Sequence, residues 1–216
     1  MINDPVLLND WHPVARVEEF DERPIVGARL LGEDLVVWRV GGAYHAWRDL
    51  CAHRGTRLSL GKIVDDGLLM CPYHGWTYDQ EGRCVRIPAH PDQTPPAKAQ
   101  VKRYQVREGY GLLWVCLREP ANDPPPFPEH DLPGYVTAVC DPARHVAANG
   151  PRLIENFLDA AHFPYVHEGV LGDPSHPEIA DYHARIGPEG VVSDPIQVYQ
   201  PAPYGSQPGM VEYTYH

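Results

Sequence analysis

Residues 51–76, CAHRGTRLSLGKIVDDGLLMCPYHGW, hold two cysteines and two histidines in two tight pairs, Cys51-x-His53 and Cys71-x2-His74, with 17 residues between the pairs. Four soft and borderline metal donors in so short a span limit what the chain around them can become. A Cys2His2 set has two physical readings. A structural zinc gathers all four donors on one ion, and its usual spacing joins like residues, Cys with Cys and His with His. Here each pair is mixed, an order that suits two irons in different environments. One iron would take Cys51 and Cys71, the other His53 and His74, with two sulfides bridging them. Imidazole ligation raises the potential of such a cluster above that of an all-cysteine one.

The flanking sequence is β-like. LVVWRV and AYHAW stand on either side of Gly41-Gly42, a hairpin pattern. WTYDQEGRCVRI reads as a second hairpin turning at Glu81-Gly82, and VKRYQVREGYGLLWVCL as a third around Gly109. Five cysteines, an odd number, do not read as a disulfide framework. Cys84, Cys116 and Cys140 stand alone, and Cys116, inside GLLWVCL, reads as a small buried hydrophobe. His45, His90, His130 and His145 have no comparable neighbours and read as surface or turn residues.

Six prolines within residues 118–134 mark a stiff boundary. Beyond it, GPRLIENFLDAAHF repeats Leu153, Ile154, Phe157, Leu158 and Ala161 at helical steps. Asn156, Asp159 and His162 fall at i, i+3 and i+6 on such a helix. His167 would sit about 140° away from His162 on an unbroken one. Pro164 interrupts the helix and lets the chain bring His167 back toward His162. Two imidazoles and a carboxylate with open positions form the facial triad of non-haem Fe(II) sites. A solvated helix face is the plainer reading of the same spacing. The final GMVEYTYH alternates as a strand into the last residue, which suggests the front part of a longer protein.

Cys51-x-His53 and Cys71-Pro72-Tyr73-His74-Gly75-Trp76 resemble the Rieske [2Fe-2S] domain in the form found in Rieske non-haem iron oxygenases. Asn156-x2-Asp159-x2-His162-x4-His167 resembles the mononuclear iron site of that family. Its spacing is similar to that of the branch typified by vanillate and dicamba demethylases, whereas the naphthalene-dioxygenase branch separates the Asn and Asp by one more residue. The resemblance implies an α+β chain. An all-β Rieske domain would occupy residues 1–118, a proline-rich linker 119–134, and the start of a helix-grip catalytic domain 135–216. It also implies a cluster on Cys51, His53, Cys71 and His74, and an Fe(II) on His162 and His167. Asp159 would bridge His162 to His74 of a neighbouring subunit in a head-to-tail homotrimer, with Asn156 near the iron but not firmly bound. The family's third iron ligand is an aspartate well beyond the histidine pair, and Asp173, Asp181, Asp194 and Glu212 match no motif for it.

The implied activity is hydroxylation or O-demethylation of an aromatic, carboxylated substrate by dioxygen. Electrons would come from a flavin reductase, directly or through a ferredoxin. A Rieske ferredoxin-like electron carrier is the alternative, and a zinc-stabilised interaction module a third. The formal charge of −11 argues against nucleic acid. No apolar run is long enough to span a bilayer and no secretion signal is evident. Five cysteines that form no disulfide framework lead to the expectation of a reducing cytoplasm.

Overall fold

The structure, a computed structural model, describes residues 2–65, 67–136, 139, 146–187, 190–202 and 207–215. Cys140, His145 and the terminal His216 of the strand pattern lie outside these residues. The chain divides into two units, Met1–Thr137 and Ala138–His216.

The first unit contains short helices α1 (Pro5–Leu8) and α2 (Glu19–Glu22) and ten strands. These are β1 (His12–Arg16), β2 (Ile25–Leu30), β3 (Glu33–Val40), β4 (Ala43–Arg48), β5 (Lys62–Val64), β6 (Leu68–Met70), β7 (Thr77–Tyr78), β8 (Cys84–Arg86), β9 (Arg103–Gly109) and β10 (Leu112–Cys116). They form a six-stranded sheet, β1-β10-β9-β4-β3-β2, and a four-stranded sheet, β5-β6-β7-β8, antiparallel throughout.

Strand β3 explains why DLVVWRV is almost continuously apolar. Its alternating side chains serve two separate cores, so both faces are buried. Leu35 and Val37 pack with Phe20, Leu113 and Val115. Val36 and Trp38 pack with Trp47, Leu58, Leu69 and Tyr78, in the core that also holds Cys51 and Cys71. Each fully buried aliphatic side chain contributes about 1.5–3 kcal/mol, and Leu35, Val36 and Val37 are all fully buried. Cys116 is likewise buried, its thiol near the carbonyls of Leu8 and Arg118.

The β3–β4 turn falls on Gly41-Gly42, both in the left-handed region that this hairpin turn needs. The third hairpin closes at Tyr110-Gly111, since Gly109 is the last residue of β9. A further hairpin, β2–β3, turns through Leu31-Gly32. Leu31 and Tyr110 carry positive φ at a cost of about 1–2 kcal/mol each, which no residue preference announces. The β7–β8 turn is organised by Asp79, whose Oδ1 accepts the Glu81 and Arg83 amides. The proline-rich stretch runs along this unit: the Trp11 indole donates to the Asn122 carbonyl at 2.8 Å, and the Ala121 amide to the Asn9 carbonyl at 2.9 Å.

The second unit contains α3 (Gly150–Leu158), α4 (Phe163–Val166) and two hairpins, β11 (Ala184–Gly187) with β12 (Gly190–Ser193) and β13 (Ile196–Gln200) with β14 (Gly209–Tyr213). Asn149 caps α3 by accepting the Arg152 amide. The helix is shorter than its apolar repeat predicts. It ends before Asp159, which is extended at φ −93° and ψ 106°. The Asp159 carboxylate accepts the Ala161 amide at 2.8 Å, and this local bond replaces the next helical turn. Pro164 therefore sits in the first turn of α4 rather than interrupting a long helix. The core of this unit joins Ala160 and Phe163 to Ile196 and Val198 of β13.

Candidate metal centres

The two cysteine-histidine pairs occupy two loops of the same closed form, one between β4 and β5, the other between β6 and β7. In the first, the Cys51 amide donates to the Thr56 carbonyl and the Gly55 amide to the Cys51 carbonyl, both at 2.9 Å. In the second, the Cys71 amide donates to the Trp76 carbonyl at 2.8 Å and the Gly75 amide to the Cys71 carbonyl at 3.2 Å. Each loop needs a left-handed residue four positions after its cysteine, and each has glycine there, at φ 73° and 69°. Gly75 meets a second restriction, because a Cβ would lie 3.0 Å from Pro88 Cγ.

The loops bring their donors into one place. Cys51 and Cys71 are buried, and the rings of His53 and His74 lie 4.6 Å apart. Burial pushes the Cys71 thiol up, against main-chain N–H groups of Tyr73 and His74 that favour its thiolate. Burial, then the neighbouring His74 and Arg54, hold His53 below its ordinary value, so its ring is neutral and able to donate a lone pair. His53 Nδ1 is buried and has no hydrogen-bond partner among the described residues. An orphaned imidazole nitrogen beside two buried thiols fits a metal cluster and is costly without one.

Two neighbours complete this end. The Trp76 indole stacks on His53 at 4.5 Å and 1°, fixing the plane of the ring. Tyr78, fully buried, has its hydroxyl 3.1 Å from Cys51 Sγ and accepts the Ala52 amide at 3.1 Å. Burial first, and then the Cys51 thiol, push its phenol far above the ordinary range, so it stays a donor. The spacing of the motif did not reveal Tyr78; its one signal is an aromatic residue on the strand directly after the second loop. His90 lines a cavity of about 290 Å³ with His53, His74 and Trp76. His45, predicted to be a surface or turn residue, lies in β4 opposite Trp38, half-buried and packed on its indole.

In the second unit, α4 is a single turn with His162 at its N-cap and His167 at its C-cap. The two rings stand 5.2 Å apart at 59°. His162 Nδ1 is 3.4 Å from Asp159 Oδ2 but too poorly aligned for a hydrogen bond, so that buried nitrogen has no hydrogen-bond partner among the described residues. His162 thus lies beside Asp159 on one side and His167 on the other, off any shared helix face. Asn156 is exposed on α3.

None of the candidate third ligands joins them. Asp173 is held below the usual carboxylate range by Ser175, Asp194 pairs with Arg185, and Glu212 accepts from Gln197. Among the described residues, no three His, Cys, Asp or Glu side chains converge on a point that would hold one ion.

The Rieske [2Fe-2S] domain family matches residues 10–105, and the vanillate O-demethylase oxygenase C-terminal domain family matches residues 146–210. Methylxanthine N1-demethylase NdmA of Pseudomonas putida is 39% identical over 194 residues, covering 82% of this chain and 53% of its own length. The chain thus spans about half the length of this curated relative. The solved structure of Pseudomonas putida NdmA with caffeine is 30% identical at a TM-score of 0.63, over 94% of this chain and 67% of that one. Dicamba monooxygenase bound to dicamba is 28% identical at a TM-score of 0.72, over 88% and 57% respectively. Among the described residues, no helix is long and apolar enough to cross a membrane.

Proposed function

The chain belongs to the Rieske non-haem iron oxygenase α-subunits, and from that premise we propose that its protein removes a methyl group from nitrogen or oxygen on an aromatic ring. The observation that carries this reading is the His162–His167 pair, set on the two ends of one helical turn with Asp159 beside it, in a chain that also holds a Rieske unit. An electron carrier has no use for that pair, and the match to an oxygenase C-terminal domain covers it. The relatives favour demethylation: one is named a methylxanthine N1-demethylase, and the matching family is that of vanillate O-demethylase. An aromatic carboxylate hydroxylated on carbon is the variant reading.

Bound iron(II) and a reduced [2Fe-2S] cluster together supply dioxygen activation. The side chains do the rest. His162 and His167 would hold the iron, with the Asp159 carboxylate beside the His162 ring, Oδ2 3.4 Å from Nδ1. Cys51, Cys71, His53 and His74 would hold the cluster. Electrons would pass between centres on different subunits of a head-to-tail trimer, from His74 of one copy to Asp159 of the next. The balance is one dioxygen, two electrons and two protons per methyl group. One oxygen atom enters the C–H bond, the other leaves as water, and the hydroxymethyl group is then lost as formaldehyde. The electrons would come from a flavin reductase, directly or through a ferredoxin, in a reducing cytoplasm.

The full-length protein, purified anaerobically and supplied with a reductase and NADH, tests this. It should release one formaldehyde per N- or O-methyl aromatic consumed. Substrate loss with no formaldehyde from any methylated aromatic would replace demethylation by ring hydroxylation. A cluster-bearing protein with no mononuclear iron would return the electron-carrier reading.

A further inference from the structure

Strands β4 and β9 pair at Ala46 with Tyr104 and Trp47 with Arg103, and just beyond them the Arg48 amide donates to the Lys102 carbonyl at 2.9 Å. Where they part, the first unit has a groove of about 680 Å³. It shares no lining residue with the cavity beside His53 and His74. Lys102, Arg103 and Arg118 contribute cations to its lining and Glu119 a single carboxylate, on a chain whose formal charge is −11. Arg103 is paired with Glu81, and the Lys102 ammonium sits 4.8 Å from the Tyr104 ring. A basic patch on an acidic molecule is a steering device for an acidic partner.

The groove is also joined to the cluster loops by a continuous series of rings. His45 lines the groove, and its Nε2 is buried without a hydrogen-bond partner among the described residues. Its ring packs on Trp38 at 4.6 Å, Trp38 on Trp47 at 4.9 Å, and Trp47 on Tyr78 at 6.5 Å. The Tyr78 hydroxyl then reaches Cys51 Sγ at 3.1 Å. Tunnelling falls off steeply with each empty gap, and rings in contact leave few gaps.

We propose that this groove is the docking site of the one-electron donor, an acidic carrier protein with a [2Fe-2S] centre, and that the series His45, Trp38, Trp47 and Tyr78 leads from it to Cys51. One electron leaves the reduced carrier and enters the oxidised cluster; no bond forms or breaks. Reduction on the cysteine side would leave the histidine end free for the neighbouring catalytic site. The inference rests on the oxygenase reading, because it requires a cluster that accepts electrons from another protein.

The test uses the full-length holoprotein and a plant-type acidic [2Fe-2S] ferredoxin, kept reduced by its flavoprotein reductase. Stopped-flow absorbance gives the second-order rate of cluster reduction, and calorimetry gives ferredoxin binding. The variant Lys102→Glu/Arg118→Glu should lower the rate constant and the affinity by about tenfold or more at low ionic strength, with a flattened salt dependence. Its visible spectrum and its reduction by dithionite should match wild type. His45→Leu should slow reduction with binding retained. Wild-type rates in the charge-reversed variant would overturn the docking site, as would a wild type that the acidic ferredoxin fails to reduce. So would a Gln93→Glu change, beside His53 and His74, that slows reduction while the groove variants do not. A wild type with no cluster absorbance would instead defeat the oxygenase reading beneath it.

Discussion

At residue scale, the decisive side chains are buried nitrogens that nothing among the described residues satisfies. His53 Nδ1 and His162 Nδ1 are both of this kind, one in each unit. An unpaired buried nitrogen is costly. One lies beside two buried cysteines while the other belongs to a ring packed against His167, so a bound group at each place is what geometry favours. His162→Ala in the full-length protein should abolish turnover and lower bound iron by one atom per chain. The cluster spectrum should stay, and its loss would mean that His162 supports the cluster instead. His45 is a third buried nitrogen, with a different consequence. Burial lowers its affinity for a proton, Arg103 adds to that effect, and Glu81 opposes it. The unfolded chain takes up this proton near pH 6.5, whereas the folded chain resists it to lower pH. Stability from a neutral His45 is therefore complete above about pH 6.5 and is lost as the pH falls toward its depressed folded value. His45→Phe keeps a ring on Trp38, and its melting temperature should fall less between pH 7 and pH 5 than that of wild type. Parallel curves would remove His45 from the acid limb.

Elements with a strict chemical requirement were legible in the sequence, and those set by one local bond were not. The mixed pairs spelled out two loops because each loop needs its cysteine, its histidine and its left-handed glycine at set offsets. The Gly41-Gly42 turn was legible for the same reason. The end of α3 was not, because the apolar repeat continues to Ala161 while the Asp159 carboxylate captures the Ala161 amide and stops the helix. The turn at Leu31-Gly32 was hidden by a leucine in a conformation it seldom adopts. Gly172 is another position whose role only the fold shows. A Cβ there would lie 2.5 Å from Pro164 N and 2.7 Å from the Phe163 carbonyl carbon, inside the first turn of α4. Pro164 has no amide hydrogen, so this close cover leaves no donor unsatisfied. Gly172→Ala must displace backbone at an overpacking cost of roughly 1–3 kcal/mol, and the displaced turn is the one that carries His162 and His167. Mononuclear iron should fall several-fold with the cluster spectrum unchanged. Gly169→Ala, whose Cβ would meet nothing within 4 Å, should retain more iron. Equal loss from both variants would assign the effect to loop strain rather than to this contact.

At the scale of the whole molecule, the two candidate centres differ in how much of the fold holds them. The cluster loops are pinned by paired main-chain hydrogen bonds, and their cysteines lie 3% and 1% exposed in a core shared with Trp38, Trp47 and Tyr78. The candidate iron site rests on two histidines flanking a four-residue helix whose C-terminal residues Tyr165 and Val166 are 65% and 69% exposed. Among the described residues no carboxylate joins the two histidines, and Asp173, Asp181, Asp194 and Glu212 match no motif for a third ligand. Imidazole and carboxylate donors also release iron(II) more readily than thiolate and sulfide release a cluster. Metal removal should therefore occur in two steps. A mild chelator at neutral pH, without reductant, should take about one of three irons per chain, the share expected for one mononuclear ion beside a two-iron cluster. The visible spectrum should be retained, turnover lost, and the signal of the nitric oxide adduct of mononuclear iron(II) abolished. Adding iron(II) back should restore both turnover and that signal, since folded His162 and His167 still flank their turn. Iron and colour leaving together, in a constant ratio, would mean that all the iron belongs to one centre.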